Sequence, residues 1–308
     1  MIDAAEIKTV AGEKSYNPDE KIVDFAWQLK KRGLADTTIK QRVYRLHHLI
    51  KKGANLNDPD SISTILAKSN WSQSNKRVFI VAYKSFVKLF KLEWEPPKTR
   101  VEQKIPFIPS EAEIDQLIAG CGRKTATFLQ VLKDTAARTS EAAKIKWIDV
   151  SEQRNTISIN HPLKGSRARV IKVHSKTIAM LNTLPKTCEY IFNPHAHTIR
   201  QNYYKQRKRI AHTLQNPRIR QIKLHTFRHW KATMEYHRTK DILHVMKLLG
   251  HKNIKNTIIY TQLVDFKDEE YHVAHAINLK DENKLIEAGF EYVRYSEKHE
   301  VAIYKNPK

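Results

Sequence analysis

The chain has 308 residues, of which 41% are hydrophobic and 9% aromatic, and this apolar content excludes a wholly disordered protein. Lys and Arg outnumber Asp and Glu by 55 to 32, which gives a formal net charge of +23. The length predicts two domains. The chain has only two cysteines, Cys121 and Cys188, and no secretory leader pattern, which together predict a cytoplasmic protein. It also has no apolar run of about 18 residues, so no membrane span is predicted.

The positive charge is concentrated in the middle of the chain. Residues 1–98 carry +7 and residues 265–308 carry −3, so residues 99–264 carry the remaining +19. A field of this strength is typical of a protein that binds a polyanion, because the release of counterions from phosphates favours binding. A solvated basic surface is the alternative. An anionic membrane is disfavoured, since no basic amphipathic helix with a continuous apolar face is present.

Residues 1–94 are predicted to form a helical bundle. Apolar residues recur at helical spacing in "EKIVDFAWQLKKRG", after the Thr37/Thr38 cap, in the short "DPDSISTILAKS" and in "SQSNKRVFIVAYKSFVKLF". Four amphipathic helices make a small bundle. The second and fourth helices carry basic side chains that either line a DNA backbone or are simply solvated. These candidate DNA-binding residues are Arg42, Arg45, Lys76 and Arg77.

Residues 95–109 contain four prolines and no hydrophobic period, so they predict an extended linker. Residues 110–264 then begin at a Ser110-x-x-Glu113 capping box. They predict a helix "KTATFLQVLKDTAA" that breaks near Arg138 and resumes as "SEAAKIKW", followed by strands "NTISIN" and "RARVIKV" joined by "HPLKGS" as a hairpin. Helices are predicted again at 175–184, 198–213 and 226–262. The fold class is therefore mainly α with a small β-sheet (α+β).

Several motifs of metal and nucleotide chemistry are missing. The sequence has no Walker-type loop, no HExxH, no Cys-x-x-Cys and no dense acidic cluster in its basic middle. His225 and His229 have the spacing of two zinc ligands, but no third ligand is near. Two-metal phosphoryl transfer needs several carboxylates, so we predict no metal and no cofactor. A metal-free route needs a nucleophile, fixed cations for the nonbridging oxygens and an acid for the leaving oxygen.

Single residues that suit such a route have ordinary alternatives. His225 and Arg228 lie three apart in "LHTFRHWKAT" and share one helical face, but such pairs are common on surface helices. Arg138 follows an apolar helix, where an arginine is either a C-terminal helix cap or a buried cation that points into a cleft. Lys164 lies in a hairpin, where most lysines are exposed. Tyr260 follows His251 in "LLGHKNIKNTIIYTQ" and suits a core tyrosine as well as a nucleophile.

Taken in order, these residues resemble the catalytic set of the tyrosine recombinases, or phage-type integrases. "ARTSEAAKIKWIDV" is similar to the family's Arg-x-Ser-Glu box, "LKGSRARVIKV" to its Lys-bearing hairpin, "HTFRHWKAT" to its His-x-x-Arg-His helix and "LLGHKNIKNTIIYTQ" to its Leu-Gly-His…Tyr box. The resemblance covers residues 107–264, and the bundle of residues 20–91 is similar to the family's core-binding domain. Ala136 and Phe227 stand where the family usually has Gly and Leu, which we interpret as packing positions.

The resemblance implies a mechanism and partners. Tyr260 is the expected nucleophile and forms a 3′-phosphotyrosyl link to duplex DNA without ATP or magnesium. Arg138 and Arg228 are expected to hold the nonbridging oxygens, and Lys164 to protonate the leaving 5′ oxygen. His225 is expected to act as general base toward the tyrosine, and His251 to donate a hydrogen bond to the phosphate. The family acts as four protomers on two duplexes, so a homotetramer on DNA and a free monomer or dimer are expected.

A second basic group and the tail complete the predictions. Residues 200–223 hold eight basic side chains and no acid, which we assign to backbone contacts with DNA. They are Arg200, Lys205, Arg207, Lys208, Arg209, Arg218, Arg220 and Lys223. The tail of residues 265–308 is similar to tails of integrase-like proteins of archaeal elements and ends in a predicted hairpin, "FEYVRYSEKHEVAIYK". Residues 265–280 are the candidate for docking on a neighbouring protomer.

Two other functions stay open. A type IB topoisomerase uses similar chemistry to relax one duplex, although the Leu-Gly-His…Tyr and Arg-x-Ser-Glu boxes favour a recombinase. A DNA-binding protein that keeps the fold without the chemistry is the second alternative. Its sequence would be expected to lack an essential Arg or Tyr, whereas all six positions are filled here.

Overall fold

The computed structural model describes residues 18–100, 105–263, 271–297 and 299–307. The chain divides into two compact units, with the boundary between residues 104 and 105, inside the proline-containing segment predicted as a linker. The domain limits of the sequence analysis stay predictions. No helix in the described ranges is both long and apolar enough to cross a bilayer.

The described part of the first unit is a bundle of four α-helices. Phe25, Leu46, Ile62 and Phe86 are fully buried in its core. The second helix begins at Asp36, with Ala35 as N-cap, and the predicted cap at Thr37/Thr38 is therefore wrong by a few residues. The helices are α1 (Pro18–Lys31), α2 (Asp36–Lys51), α3 (Pro59–Lys68) and α4 (Gln73–Phe90).

The second unit is built around one buried helix. Residues 126–135 of α6 (Arg123–Thr135) are buried on every side, and α10 (Leu224–Thr239) packs along this helix. Half of these ten residues are polar, and Lys133 and Asp134 are buried with partners on neighbouring elements. The other helices in this part of the unit are α5 (Glu111–Ala119), α7 (Thr139–Ala142), α8 (Ser175–Asn182), α9 (Ala196–Thr213) and α11 (Ile242–Leu249).

Two helical predictions were too long. "SEAAKIKW" forms only the single turn α7, because the amide of Trp147 donates to Glu189 and the carbonyl of Ile145 accepts from Ile191. This non-local pairing replaces the next helical hydrogen bonds. The predicted helix of residues 226–262 is likewise divided: α10 and α11 are followed by 3₁₀ turns at Ile254–Asn256 and Ile258–Gln262.

A three-stranded antiparallel sheet supports the Lys164 loop. It consists of β1 (Val150–Ser151), β2 (Thr156–Ile159) and β3 (Arg169–Lys172), in that order. Ile157 and Ile171 are paired across β2 and β3, and both side chains are buried in the main core. The predicted hairpin is therefore present, with residues 160–168 as its loop.

The described part of the tail folds as a small α/β element. β4 (Tyr271–Ala276), α12 (Leu279–Glu287), β5 (Glu291–Ser296) and β6 (Val301–Pro307) form an antiparallel sheet in the order β4-β6-β5 with one helix. The predicted hairpin is the pair β5 and β6, whereas β4 and α12 were not predicted. Of the proposed docking segment, residues 265–270 lie outside the described residues, and residues 271–276 are already paired with β6.

Candidate active site

Arg138 is positioned by the sharp end of α6. The helix ends at Ala136, whose φ of 51° is left-handed, and Arg138 then caps α7. A left-handed residue favours glycine, and Ala136 is also fully buried in the cluster that contains Tyr260, so the position is constrained both by its backbone conformation and by packing. The Arg138 Nη1 group donates to Glu141 Oε1 at 2.8 Å and to Ser166 Oγ at 2.9 Å.

Glu141 is the buried anion that orders this side of the site. Its carboxylate also accepts a hydrogen bond from Arg169 Nη2 at 2.9 Å. Burial by itself would raise the pKa of Glu141, but hydrogen bonds from the Arg138 amide and the Arg169 guanidinium lower it to about 2. The ionised carboxylate therefore holds two arginines in fixed positions, a role that the sequence analysis missed.

Arg228 lies at the centre of the site with 2% of its surface exposed. Its Nη1 donates to the carbonyl of Ala136 and its Nη2 to the carbonyl of Leu249, both at 2.7 Å. Burial, and then the charge of Arg138, lowers the pKa of Arg228 to about 10. The guanidinium stays charged at neutral pH and ties α10 to the ends of α6 and α11.

His251 is held by Arg228 through one ring nitrogen and by Thr257 through the other. Nε2 lies 3.0 Å from Arg228 Nη2, and Nδ1 lies 3.0 Å from Thr257 Oγ1. Because an arginine only donates, Nε2 accepts and the proton is on Nδ1. Burial, followed by the charges of Arg228 and Arg138, lowers the pKa of His251 to about 4.

Gly250 joins the His251 turn to the Lys164 loop. Its φ is +67°, and its carbonyl accepts the amide of Arg167 at 3.0 Å. A Cβ at this position would lie 2.9 Å from the Arg167 carbonyl oxygen. Glycine is required both for the left-handed turn and for the close approach of the two backbones.

His225 and His229 lie on successive turns of α10 with their rings in edge contact, 4.7 Å between centroids. His225 is partly reached by solvent, but much of its ring is removed from water. This loss of hydration is the largest cause that lowers its pKa to about 4. The charges of His229, Arg228, Arg138 and Lys164 act in the same direction. Burial and the charge of Arg228 also lower the pKa of His229. Both rings are therefore neutral near pH 7.

Tyr260 lies in the 3₁₀ turn Ile258–Gln262, and only 2% of its surface is exposed. Its ring packs in a cluster with Ala232, Val245 and Leu249. Its hydroxyl oxygen lies 3.1 Å from His229 Nδ1. Burial raises the pKa of Tyr260, while the charges of Arg228 and Arg138 act in the opposite direction.

Lys164 is the least constrained of the six predicted residues. It is exposed in the β2–β3 loop, has a left-handed φ of 54°, and has no hydrogen bond or ion pair among the described contacts. Its charge contributes to the low pKa of His225. The structure thus brings Arg138, Arg228, His225, His251 and Tyr260 together and places Lys164 beside them on a loop.

The comparison with protein-family models decides the assignment. The model of the phage integrase family matches residues 109–266, just over half of the chain. The chain belongs to the phage integrase family. It is a tyrosine recombinase, an enzyme that acts on DNA, and the resemblance inferred from the four sequence boxes is confirmed.

Individual relatives agree with this assignment. Tyrosine recombinase XerA of Saccharolobus solfataricus is 27% identical over 63% of this chain and 65% of its own length. XerA of Pyrococcus horikoshii is 26% identical over 86% of this chain and 93% of its own. Together with the family model, these matches extend the resemblance beyond the four boxes.

Solved structures share the fold and confirm the predicted class. The Tn1549 transposon integrase, in complex with transposon right-end DNA, matches with a TM-score of 0.61 at 14% identity, covering 87% of this chain and 99% of its own. The XerH recombinase bound to palindromic difH substrate matches with a TM-score of 0.56 at 18% identity, covering 84% and 90%. The mainly α fold with small antiparallel sheets is therefore confirmed.

The basic residues of this recombinase at 200–223 divide into two groups. Three are engaged within the protein: Arg207 donates to the carbonyl of Ile222, Arg209 to the carbonyl of Gly120, and Arg218 to Glu113. The others are exposed on α9 and the segment that follows it. They are Arg200, Lys205, Lys208, Arg220 and Lys223.

The four basic candidates of the first unit also differ among themselves. Arg77 is exposed, whereas Arg42, Arg45 and Lys76 are half-buried. Arg45 donates to the carbonyl of Gln41 one turn earlier in its own helix. A contact of these residues with DNA stays a prediction.

Sequence reasoning missed one contact of the recombinase site. His229 was placed in the His-x-x-Arg-His box and weighed with His225 as a zinc ligand, but it was given no role in the reaction. In the structure it is His229, and not His225, that lies within hydrogen-bonding distance of the Tyr260 hydroxyl. Its place in that box was a signal that His229 belongs near the site, but no local pattern shows where a tyrosine 31 residues later will pack.

Proposed function

We propose that this recombinase cleaves and rejoins duplex DNA through a 3′-phosphotyrosyl intermediate on Tyr260, without metal or ATP. The observation that supports this most directly is the placement of one buried tyrosine hydroxyl beside a neutral histidine and within the field of two fixed arginines. A phenol with a proton acceptor beside it and fixed cations nearby has the surroundings that a tyrosine nucleophile needs. The energy of the broken phosphodiester is kept in the new ester, so rejoining needs no other source.

The two arginines have donors left for a phosphate. Of the five N–H groups of Arg228, three are directed to Ala136, Leu249 and His251, which leaves two. Arg138 uses Nη1 for its described side-chain contacts and keeps Nε and Nη2. We assign both guanidiniums to the nonbridging oxygens, where they supply the positive charge that metals supply in other phosphoryl transfers.

The remaining residues receive roles from their contacts. Both ring nitrogens of His251 are engaged, so we assign it to orienting Arg228 rather than to the phosphate contact expected from the sequence. His225 lies close to the charges of Arg138 and Lys164, and we place it facing the phosphate. Lys164, on a loop tied to Gly250 through Arg167, is proposed as the acid that protonates the leaving 5′ oxygen.

We also propose the assembly and setting expected from the sequence. Four protomers would act on two duplexes, as implied by the family resemblance, and the protein alone would be a monomer or dimer. Residence with DNA in the cytoplasm, predicted from the two cysteines, and independence of any cofactor remain part of this proposal. The DNA-bound Tn1549 integrase and XerH structures support duplex DNA as the partner.

The test is covalent trapping on nicked duplexes. The full chain is incubated in EDTA with nicked duplexes that carry candidate palindromic sites, and denaturing gels are examined for a slow protein–DNA adduct, mapped by mass spectrometry. An adduct on Tyr260 that Tyr260→Phe abolishes supports the proposal. Tyr236→Phe is the matched control, because Tyr236 packs against the same cluster and should still form the adduct.

Other outcomes distinguish the alternatives. Binding without an adduct on any site would favour a DNA-binding protein without cleavage. Relaxation of supercoiled DNA by the isolated monomer, without strand exchange, would favour a topoisomerase. A strict requirement for Mg²⁺ would overturn the metal-free mechanism.

A further inference from the structure

The Tyr260 hydroxyl is enclosed by protein, so the route by which its proton leaves is a structural question. The residue is 2% exposed, and its packing against Ala232, Val245 and Leu249 separates the ring from bulk water. Its described hydrogen-bond partner is His229 Nδ1, 3.1 Å away. The acceptor atom of a base must lie within about 2.6–3.2 Å of the heavy atom whose proton it removes, and the contact between His229 Nδ1 and the Tyr260 oxygen meets that distance.

His225, the base expected from the sequence, is less suited to this task. No hydrogen bond of His225 is among the described contacts, and its ring lies edge-on to His229 rather than at the tyrosine. Burial and the charge of Arg228 oppose the gain of a proton at both histidines, and His225 faces the charges of Arg138 and Lys164 in addition. His251 has both nitrogens engaged, and Arg228 can only donate.

His229 is in a state and place that suit a proton acceptor. It is neutral near pH 7, because burial and the adjacent Arg228 disfavour its charged form. In the tautomer with the proton on Nε2, its Nδ1 accepts the tyrosine hydroxyl. The residue lies within α10, between Arg228 and the buried Trp230, so its backbone position is fixed by the same helix that carries the central arginine.

We propose that His229 accepts the proton of the Tyr260 hydroxyl as the tyrosine oxygen attacks the scissile phosphate. This rests on the proposed function. The Tyr260 Oη–P bond forms, the P–O5′ bond breaks, the phenol proton moves to His229 Nδ1, and Lys164 supplies a proton to the 5′ oxygen. Rejoining reverses both transfers: the 5′ hydroxyl gives up its proton to Lys164, and His229 returns one to the tyrosine.

Two substitutions separate proton acceptance from positioning. His229→Ala removes the ring, whereas His229→Asn places an amide oxygen near the position of Nδ1 that accepts a hydrogen bond but does not take a proton. Single-turnover cleavage of a nicked duplex by the full chain is measured across pH 5.5 to 9. His244→Ala is the matched control, because His244 is a half-exposed histidine of α11 outside the site. Thermal unfolding and DNA affinity are measured for each variant.

Leaving-group chemistry gives an independent readout. A duplex with sulfur in place of the bridging 5′ oxygen has a leaving group that needs no proton. This substrate should therefore restore cleavage by Lys164→Ala, because that variant lacks only the acid. Cleavage by His229→Ala should stay slow, because that variant lacks the acceptor of the tyrosine proton. This contrast reports on which proton is affected, and a merely structural loss would not produce it.

The expected result is a loss of cleavage of about 100-fold or more in His229→Ala, as for removal of a general base. Affinity and unfolding temperature should be unchanged, and the rate should rise more steeply with pH than in the unsubstituted protein, since the phenol must then ionise unaided. His229→Asn should stay slow. The titratable groups that face His229 are His225, Arg228 and Tyr260, and all three are unchanged in every variant compared.

Three results would overturn the inference. They are cleavage by His229→Ala within about threefold of the unsubstituted rate, full activity of His229→Asn with an unchanged pH profile, and rescue of His229→Ala by the sulfur substrate. In each case an adduct on Tyr260 in the unsubstituted protein would leave the proposed function standing. Absence of that adduct would instead contradict the proposed function itself.

Discussion

Arg228 Nη2 lies 3.0 Å from His251 Nε2 while the same guanidinium donates to two backbone carbonyls. The residue that is proposed to hold the phosphate is therefore also a structural tie between three segments of the second unit. Stability and activity are coupled at this arginine, and the two effects can be separated by comparison with Arg138.

Arg228→Lys is expected to reduce both stability and cleavage. A lysine has no planar fork and does not reach the carbonyls of Ala136 and Leu249 together, and each buried acceptor left unpaired costs about 1–3 kcal/mol. Denaturant unfolding should show a decrease of that order, and adduct formation should fall by about 100-fold or more. Arg138→Lys, on a side chain that is 20% exposed, should lose cleavage with a smaller loss of stability. Equal stability of Arg228→Lys and the unsubstituted protein would contradict this account.

Gly250→Ala is expected to disrupt the contact between the His251 turn and the Lys164 loop. The new Cβ would meet the Arg167 carbonyl at 2.9 Å at a residue whose φ is +67°, and we expect a loss of about 2–3 kcal/mol in the free energy of unfolding. Gly165→Ala is the control: its φ is +70°, but nothing lies within 4 Å of the added methyl. It should lose only about 1 kcal/mol, the cost of the backbone conformation. Similar losses at the two positions would show that the close approach does not matter.

Glu141 makes stability depend on acid pH. Its pKa is lowered from 4.5 to about 2 in the folded protein, so the unfolded chain binds the proton first. The contribution of Glu141 to the free energy of unfolding is fully present above about pH 4.5 and is lost as the pH falls toward 2, with a total of about 3 kcal/mol. Urea unfolding between pH 2 and 5 should show this decline. Glu141→Gln should be less stable at pH 7, because two arginines lose their anion, and should show a flatter profile; an unchanged slope would assign the decline to other carboxylates.

Basic residues of 200–223 that are engaged within the protein should affect DNA affinity less than Lys205 and Lys208, although Arg209 and Arg218 are exposed as well. Lys205→Ala and Lys208→Ala are each expected to reduce affinity uniformly across sequences and to lower the salt slope by about one unit, as for a lost phosphate contact. Arg218 is paired with Glu113 at 2.8 Å, so Arg218→Ala should change DNA affinity less. Titrations at several salt concentrations measure both quantities. An Arg218 effect equal to the lysine effects would contradict the division into two groups.

The family and most helices of this protein were predictable from sequence because their signals are local. Helical spacing of apolar residues and caps such as Ser110 with Glu113 act within a few residues, and the four boxes occur in one order along the chain. Local signals failed where distant segments compete: "SEAAKIKW" gives up its helix to pairing with residues 189–191, and β4 forms only because β6 lies beside it.

The sequence by itself determined which residues are available for chemistry, including Tyr260 and the two arginines. Only the tertiary structure decided that the tyrosine hydroxyl contacts His229 rather than His225. It also decided that Arg228 binds the carbonyls of Ala136 and Leu249, which lie 92 and 21 positions from it in the sequence. It also decided which basic residues of 200–223 are engaged within the protein. The physical reason is that a hydrogen bond requires its two heavy atoms to be placed to within a few tenths of an ångström. That placement is set by the packing of the whole core and not by spacing along the chain.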